Sequence, residues 1–172
     1  MRNTTTRQTF LIIALPGSEM KIAIVSDTHN NWVNFKKAID WIKKENIQLI
    51  LHCGDICSQE MIDDAKIFFG GDIRYVKGNA DFNLPDLPEK IELDLENKKI
   101  IFCHFPNEAK KTAQSGKFDL VFYGHTHRPW DEKVRDCHMI NPGELAGQFY
   151  KPSFAVYDTS TGNLELKILE KL

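Results

Sequence analysis

Between residues 20 and 76 the chain alternates short apolar segments with amphipathic ones, and few folds accommodate that order. The near-continuous apolar segments predict strands buried on both faces, over residues 20–26, 48–53 and 73–76. The amphipathic segments predict two helices, over residues 32–44 and 58–68. Asn31 is the expected N-cap of the first helix, and Gly70 is the expected end of the second. Strands and helices in this order form right-handed β-α-β crossovers, so the sequence predicts an α/β fold.

After Pro88 the pattern changes from crossovers to hairpins. Residues 91–95 alternate strictly between apolar and polar, which predicts a strand. Residues 100–103 predict a second strand after a turn at 97–99, so we expect an antiparallel pair. The later segments predict a helix near 107–115 and further strands, over residues 119–123, 133–140 and 154–168. We therefore expect two packed sheets with helices on the outside, in one domain.

Composition excludes several classes of protein. A chain of 172 residues corresponds to one domain, and it can bury a core without a disulfide or a structural metal. The 22 basic and 24 acidic residues leave a net charge of −2, which argues against binding to nucleic acid or to a membrane surface. No apolar run approaches the roughly 18 residues that span a bilayer.

The first 19 residues do not match the pattern that follows them. A polar, basic start is followed by an apolar run over residues 10–15 and then by Pro16-Gly17-Ser18. A secretory signal peptide has this order of regions, but its apolar core is about 7–15 residues long and precedes a small-residue cleavage site. We therefore expect residues 1–19 to be a leader outside the core and residues 20–172 to form the domain, with a functional leader as the alternative.

The four cysteines, which are Cys53, Cys57, Cys103 and Cys137, form no Cys-x-x-Cys pair. A zinc ribbon and a thioredoxin-type motif are therefore excluded. Three of the four lie in apolar, strand-like runs, where a free cysteine usually behaves as a small buried apolar residue. We expect reduced thiols and a cytoplasmic location, with a disulfide as the alternative.

Polar side chains that can bind a metal or a proton follow the ends of five predicted strands. They are Asp27 and His29, Asp55, Asn79, His104, and His125 with His127. The carboxyl ends of strands in an α/β sheet share one edge, where ligands bind, so we expect these residues to lie along a common rim. The intervals of 28 residues from Asp27 to Asp55 and of 24 from Asp55 to Asn79 are each about one β-α-β unit.

The predicted rim carries seven donors of borderline hardness: two carboxylates, four imidazoles and one amide oxygen. This set exceeds the needs of one four-coordinate zinc ion, whereas it suits two divalent ions that share a carboxylate. Two ions about 3.5–4 Å apart stabilise both the attacking and the leaving oxygen of a displacement at phosphorus. Glycines precede several donors, at Gly54, Gly78 and Gly124, and suit turns where the backbone passes close to the site.

The chain resembles the calcineurin-like metallophosphoesterases, and above all their small prokaryotic phosphodiesterases of the YfcE type. The resemblance rests on five motifs that occur in order: Asp27-x-His29, Gly54-Asp55, Gly78-Asn79-x-Asp81, His104 and Gly124-His125-Thr126-His127. It implies a four-layer α/β/β/α sandwich of two mixed sheets flanked by helices. It also implies two divalent metal ions, with manganese first and nickel, iron, zinc, cobalt or magnesium as alternatives.

The resemblance divides the seven donors into two ligand sets that share one carboxylate. The first set is Asp27, His29 and His127. The second set is Asn79, His104 and His125. Asp55 would bridge the two metals together with a water or hydroxide that attacks phosphorus.

The residues that we place in the reaction itself are Asp55, Asn79, His104 and Asp81. The resemblance implies that Asp81 orients its neighbours by hydrogen bonding, and a plain role in a turn is the alternative. The wider family often has a histidine after the Gly-Asn pair, where it can protonate the leaving group, but this chain has Ala80. The general acid is therefore unnamed, with His52 as the first alternative. Phe105 follows His104 where glycine is usual, so it either narrows the site or stacks on a substrate ring.

Together these features predict a metal-dependent phosphoesterase, and small-molecule phosphodiesters are the substrates that we expect first. We expect no nucleic-acid platform and no membrane partner, and we leave a homo-oligomer open. The alternative is a protein-interaction scaffold of the same fold, such as the retromer subunit, because a fold alone does not prove catalysis. All seven candidate ligands are present, which favours the enzyme.

Overall fold

The computed structural model describes residues 20–172, and the predicted leader, residues 1–19, lies outside the described residues. The elements in chain order are β1 (Lys21–Val25), α1 (Trp32–Lys44), β2 (Leu49–His52), α2 (Gln59–Phe69), β3 (Asp72–Tyr75), β4 (Lys90–Leu95), β5 (Lys98–Cys103), α3 (Pro106–Gln114), β6 (Leu120–Phe122), β7 (Trp130–Val134), β8 (Cys137–Asn141), β9 (Ser153–Asp158), β10 (Leu164–Ile168) and a 3-10 helix (Leu169–Lys171).

The first sheet has the strand order β10-β9-β1-β2-β3. β1 pairs in parallel with β2, and β2 with β3, as expected from crossovers through α1 and α2, whereas β9 runs antiparallel to β1. Both helices cover one face of this sheet, because Phe35 and Ile39 of α1 and Met61 of α2 share a buried cluster with Val25 and Ile50. The predicted apolar stripe of α1 is therefore its core face.

The second sheet has the order β4-β5-β6-β8-β7, with β5, β6 and β8 parallel and the two edge strands antiparallel. It packs on the free face of the first sheet, where Ile24 and Leu51 meet Phe102 in a second buried cluster. α3 covers its outer face, where Ala109 and Val121 belong to a third buried cluster. The predicted four-layer α/β/β/α sandwich of two mixed sheets is confirmed.

Caps and ends agree with the predictions for the first half of the chain. Asn31 accepts a hydrogen bond from the Asn34 N–H at the start of α1, and Ser58 accepts one from the Met61 N–H at the start of α2. α2 ends at Gly70, whose φ of +73° is a left-handed conformation that glycine adopts without strain.

Two predictions in the second half were displaced. The turn between β4 and β5 lies at residues 96–97 rather than 97–99, because Lys98 already pairs with Leu95. The segment predicted as strand over 133–140 belongs to a hairpin of β7 and β8 that turns at residues 135–136. β7 is a half-exposed edge strand, so it shows no apolar alternation that periodicity could detect.

The loops that follow the parallel strands are joined to one another by backbone hydrogen bonds. The Asp27 N–H donates to the Gly54 carbonyl at 3.0 Å, and the Gly124 N–H donates to the His104 carbonyl at 3.1 Å. The His125 N–H donates to Asp27 Oδ2 at 3.1 Å and so links the loops of the second sheet to those of the first. The ends of strands from both sheets therefore form one rim. Within residues 20–172, no helix is long and apolar enough to cross a membrane.

Candidate metal centre

The loops at the rim have a strained backbone. Five of the seven predicted donors have φ between 42° and 70°: Asp27, His29, Asp55, His125 and His127. A left-handed φ is uncommon for residues other than glycine and costs on the order of 1–3 kcal/mol per residue. Such strain persists only where surrounding contacts enforce it, and it concentrates at functional sites. At the rim, local backbone preference thus yields to tertiary contacts.

The first predicted ligand set converges on one point. His127 Nε2 lies 3.5 Å from Asp27 Oδ1 and 3.3 Å from His29 Nε2. His29 Nε2 lies 4.0 Å from Asp27 Oδ1, and the two imidazoles stack with ring centroids 5.0 Å apart. One ligand atom from each of the three residues lies within 4.8 Å of the others, so a single cation could contact all three.

The second predicted set converges beside the first. His104 Nε2 lies 3.0 Å from Asn79 Oδ1, and His125 Nδ1 lies 2.8 Å from the same oxygen. Asp55 Oδ2 lies 3.5 Å from His104 Nε2 and 3.6 Å from His29 Nε2, which places it between the two sets. The structure therefore brings all seven predicted donors together.

Hydrogen bonds on the far side of two imidazoles determine where their protons lie. His104 Nδ1 faces the Cys53 carbonyl oxygen at 2.8 Å, and His127 Nδ1 faces a Glu144 carboxylate oxygen at 2.8 Å. Because both partners can only accept, Nδ1 carries the proton and Nε2 keeps its lone pair. Those lone pairs then point at oxygens of the other donors, and acceptors that face one another repel. A divalent cation would remove the repulsion, so this donor set fits two metal ions.

Burial shifts the pKa values of several donors so that their neutral forms are favoured. Burial is the largest influence on the Asp27 carboxyl and raises its pKa to about 7, although nearby hydrogen bonds favour the ionised form. Burial also lowers the pKa of His29 and that of His104. Neutral imidazole is the form that binds metal, so the histidines are prepared for ligation.

Two glycines allow the rim loops to lie against ligand carboxylates. A Cβ at Gly78 would lie 2.1 Å from Asp55 Oδ1. A Cβ at Gly124 would lie 2.0 Å from Ser26 Oγ and 2.8 Å from Asp27 Oδ2. Neither position has room for a side chain, as the sequence analysis expected from the glycines that precede the donors.

Asp81 is fully buried and connects two of the ligand loops. Its Oδ2 accepts hydrogen bonds from the Asp55 N–H at 2.8 Å and from the Gly78 N–H at 2.7 Å, and its Oδ1 accepts one from the Cys57 N–H at 2.7 Å. This geometry holds the Asp55 loop against the loop that carries Asn79. A direct part for Asp81 in the reaction stays a prediction.

His52 lies beneath the site rather than in it. Its ring is fully buried, with Nδ1 accepting from the Gly54 N–H at 3.2 Å and Nε2 bonded to Thr28 Oγ1 at 3.1 Å. Burial lowers its pKa to about 3, so the ring is neutral near pH 7. Both nitrogens are engaged away from solvent, and His52 therefore does not serve as the missing general acid.

Glu144 is a buried carboxylate that the sequence analysis did not single out. Its Oε2 accepts from His127 Nδ1 at 2.8 Å and from the Gln148 N–H at 3.0 Å. Its Oε1 accepts from the Phe149 and Tyr150 N–H groups, both at 2.6 Å. Burial raises the pKa of this carboxyl, but the three N–H donors and His127 together bring it below its usual value. Glu144 therefore stays ionised and sets the tautomer of His127.

The turn before Glu144 offered a local signal that the sequence analysis did not use. Asn141, the last residue of β8, donates through Nδ2 to the Gly124 carbonyl at 2.9 Å and to Thr126 Oγ1 at 3.0 Å. It thereby fixes the loop that carries His125 and His127. The turn itself is readable from sequence, but its contact with this loop follows only from the pairing of β6 with β8.

Glu144→Gln is expected to weaken divalent-metal binding by roughly 10- to 100-fold. Four donors surround the carboxylate, so the amide NH2 must face either backbone N–H groups or His127 Nδ1. His127 can respond by moving its proton to Nε2, which removes the lone pair available to a cation. Calorimetric titration with Mn²⁺ measures the effect, and Glu170→Gln, an exposed carboxylate paired with Lys151, is the matched control. Equal affinities in the two variants would contradict the role of Glu144.

Comparison with known proteins agrees with this geometry. The family model described as the calcineurin-like phosphoesterase superfamily domain matches residues 20–162. The chain is 32% identical over 167 residues to phosphodiesterase MJ0936 of Methanocaldococcus jannaschii, a match that covers 88% of this chain and 100% of that protein. It is 27% identical over 137 residues to the probable metallophosphoesterase YsnB of Bacillus subtilis, covering 73% of this chain and 75% of that protein.

Solved structures show the same fold. A structure described as a novel archaeal phosphodiesterase aligns with a TM-score of 0.79 at 29% identity, covering 87% of this chain and 99% of that chain. Vps29 from Chaetomium thermophilum aligns with a TM-score of 0.69 at 18% identity, covering 87% of this chain and 94% of that chain. At this identity the likeness to Vps29 shows the fold alone.

Proposed function

The chain belongs to the calcineurin-like phosphoesterase superfamily, and we propose that it is a metal-dependent phosphodiesterase that hydrolyses small-molecule phosphodiesters. The observation that carries the proposal is the convergence of seven donors at the rim, where the Nε2 lone pairs of His104 and His127 face oxygens of Asn79 and Asp27. Two acceptors that face each other with no proton or cation between them destabilise the folded state. A bound metal ion would remove this cost, which supports a metal site at the rim. The similarity to phosphodiesterase MJ0936 supports the substrate class.

Each ligand set would hold one divalent cation, with Asp55 between them. The first set is Asp27, His29 and His127, and the second is Asn79, His104 and His125. Two cations held there lower the pKa of a water molecule and neutralise phosphate oxygens as charge develops, which favours attack of hydroxide on phosphorus near neutral pH. The family resemblance implies Mn²⁺ first, with nickel, iron, zinc, cobalt or magnesium as alternatives, and a mixture of carboxylate, amide and imidazole does not by itself select one of them.

Asp55 uses its two carboxylate oxygens differently. Oδ1 accepts a hydrogen bond from the Ala80 N–H at 2.7 Å, which orients the carboxylate. Oδ2 faces His29 Nε2 and His104 Nε2 at 3.6 and 3.5 Å. Oδ2 is therefore the oxygen of Asp55 that would be available to cations held by either set.

The remaining groups of the site keep protons away from the ligand atoms. The Cys53 carbonyl holds the proton of His104 on Nδ1, and the Glu144 carboxylate holds that of His127 on Nδ1. Both Nε2 atoms are thereby available without a pH change or a rearrangement of the rings. Because both rings already have the tautomer that binds metal, neither has to move a proton before a cation binds.

We also propose a cytoplasmic location. Cys53, Cys57, Cys103 and Cys137 are all free thiols in the structure. Proteins that act in oxidising compartments more often pair their cysteines, whereas the cytosol keeps them reduced.

The proposal is tested on protein stripped with a chelator and then reloaded with Mn²⁺. We expect elemental analysis to find about two ions per chain and hydrolysis of bis-p-nitrophenyl phosphate to return with them. Reloading with nickel, zinc, cobalt or magnesium then ranks the metals by the rate of hydrolysis that each one restores. Protein that binds no divalent ion and hydrolyses no phosphodiester would instead support the scaffold alternative, to which the Vps29 fold corresponds.

A further inference from the structure

We propose that Phe105 and Phe149 are two ring-binding walls on opposite sides of the metal centre, and that they select phosphodiesters bearing a planar aromatic group such as a nucleoside base. The inference rests on the proposed phosphodiesterase activity and names the substrate class for the same site.

Phe105 stands beside the second ligand set. Its ring meets that of His104 edge-on with centroids 5.0 Å apart, and its centroid lies 5.2 Å from that of His125. Phe105 is the N-cap residue of α3 and precedes Pro106, so its backbone is held extended by the start of the helix. The side chain is nevertheless 45% exposed. A phenyl ring is thus fixed at the mouth of the site with part of its surface free.

Phe149 stands beside the first ligand set. Its ring meets that of His127 edge-on, with centroids 5.0 Å apart and an interplanar angle of 82°. The Phe149 N–H donates to Glu144 Oε1 at 2.6 Å, so the same carboxylate anchors both the His127 imidazole and the backbone of Phe149. The side chain is 74% exposed. A single exposed apolar residue is common on a protein surface. Two exposed phenyl rings that each contact an imidazole of the candidate metal site suggest a shared role.

The two rings contact imidazoles of different ligand sets, and from this we place them on either side of Asp55. Phe105 contacts ligands of the second set, Phe149 contacts a ligand of the first, and Asp55 Oδ2 lies between the sets. A phosphodiester has two ester arms that leave phosphorus in different directions, so one arm can extend toward each ring.

Beyond Phe105 there is room for a large substituent. A groove of about 1160 Å³ begins at Gly78, His104 and Phe105 and continues between α3 and the β4–β5 pair. An aromatic ring that stacks on a protein ring gains enough free energy to change affinity by roughly 5- to 100-fold, and it does so with little dependence on which base is bound. The walls would therefore select for a ring rather than for one particular base.

The test uses two diesters with the same p-nitrophenolate leaving group. One is methyl p-nitrophenyl phosphate, and the other is the p-nitrophenyl ester of thymidine 5′-phosphate. We expect the Mn²⁺-loaded protein to favour the thymidine ester in kcat/KM. The p-nitrophenyl ring that both esters share can occupy one wall, so only the wall that binds thymine should affect the ratio. One of the two variants, Phe105→Leu or Phe149→Leu, and the double variant should therefore lower the ratio of the two kcat/KM values by roughly 5- to 100-fold. Metal content is measured in each variant, and because a ratio is compared, any loosening of the ligand imidazoles cancels.

Phe82→Leu is the matched control, because Phe82 is 75% exposed and has no ring contact with a ligand imidazole among the described residues. Its ratio should equal that of the parent protein. Equal hydrolysis of both esters, or a ratio that the Phe105 and Phe149 variants leave unchanged, would overturn the ring walls while leaving the phosphodiesterase intact. Hydrolysis of neither ester would overturn the proposed function itself.

Discussion

Asp55→Ala is expected to lose both metal ions together and to lower phosphodiester hydrolysis by more than roughly 10³-fold. Asp55 Oδ2 is the atom that lies between the two sets, 3.6 Å from His29 Nε2 and 3.5 Å from His104 Nε2. Removing it takes a ligand from each cation and leaves the two sets unconnected. Asp27→Ala should differ, because Asp27 faces His29 and His127 of the first set, and its loss should mainly weaken one ion.

Metal stoichiometry by elemental analysis, measured beside kcat/KM, checks this expectation. Asp55→Asn is the second variant, because it keeps the volume of the buried side chain but has only one oxygen. If that oxygen accepts from the Ala80 N–H, the amide NH2 faces the ligand sets and binds no cation. A folded Asp55→Asn protein that loses both ions would therefore support the assignment of Asp55 to both. Asp64→Ala, an exposed acid on α2, is the matched control and should retain both ions. An Asp55→Asn protein with two ions and full activity would contradict the assignment.

A steep dependence of rate on leaving-group pKa is the second large effect that we expect. The Ala80 N–H donates to Asp55 Oδ1 at 2.7 Å, so residue 80 lies beside the carboxylate that we propose as the bridge, where its methyl group cannot donate a proton. General acid catalysis typically contributes about 10²- to 10⁴-fold. Aryl leaving groups do not need that help, since their oxyanions are stable near neutral pH, whereas alkoxides do. The protein should therefore hydrolyse aryl esters far faster than alkyl esters.

Ala80→His should raise the rate for alkyl esters by up to roughly 10²- to 10⁴-fold and change the rate for aryl esters little. Rates are measured on a series of diesters of graded leaving-group pKa, and Ala80→Asn serves as a polar control without an acid. A flat dependence in the parent protein would show that another group donates the proton. Cys57 would then be the first residue to replace, because its Sγ lies 3.6 Å from His29 Nδ1 and burial raises the pKa of its thiol to about 11.

The helices and strands of the first half could be predicted closely, because periodicity and caps are local properties of the chain. α1 has the predicted bounds, and α2 begins one residue after the predicted start, with Ser58 as its N-cap, and ends at Gly70 as predicted. The predictions failed at β7, where an edge strand exposes most of its residues and carries no apolar pattern. An edge strand is defined by the pairing that it lacks on one side, and that is a property of the whole sheet.

Phe149 and Asn141 illustrate why part of the site could not be predicted. Phe149 lies in an irregular segment after β8, and no local sequence pattern predicts that its ring contacts His127. Their ring contact arises because Glu144 binds both the imidazole and the Phe149 N–H. Asn141 likewise acts through a loop that only strand pairing brings near.

The amino-acid sequence by itself determined the layer architecture and the identity of the seven donors, because parallel strands separated by helices must present their carboxyl ends at one edge. Only the tertiary structure decided which groups hold those donors. Glu144 binds His127 across 17 residues and Asp81 binds the Asp55 N–H across 26. Gly78 and Gly124 admit the backbone against Asp55 and Asp27 at distances that no side chain tolerates. These contacts join different elements at ångström distances, and they follow from how the two sheets pack rather than from any local pattern in the chain.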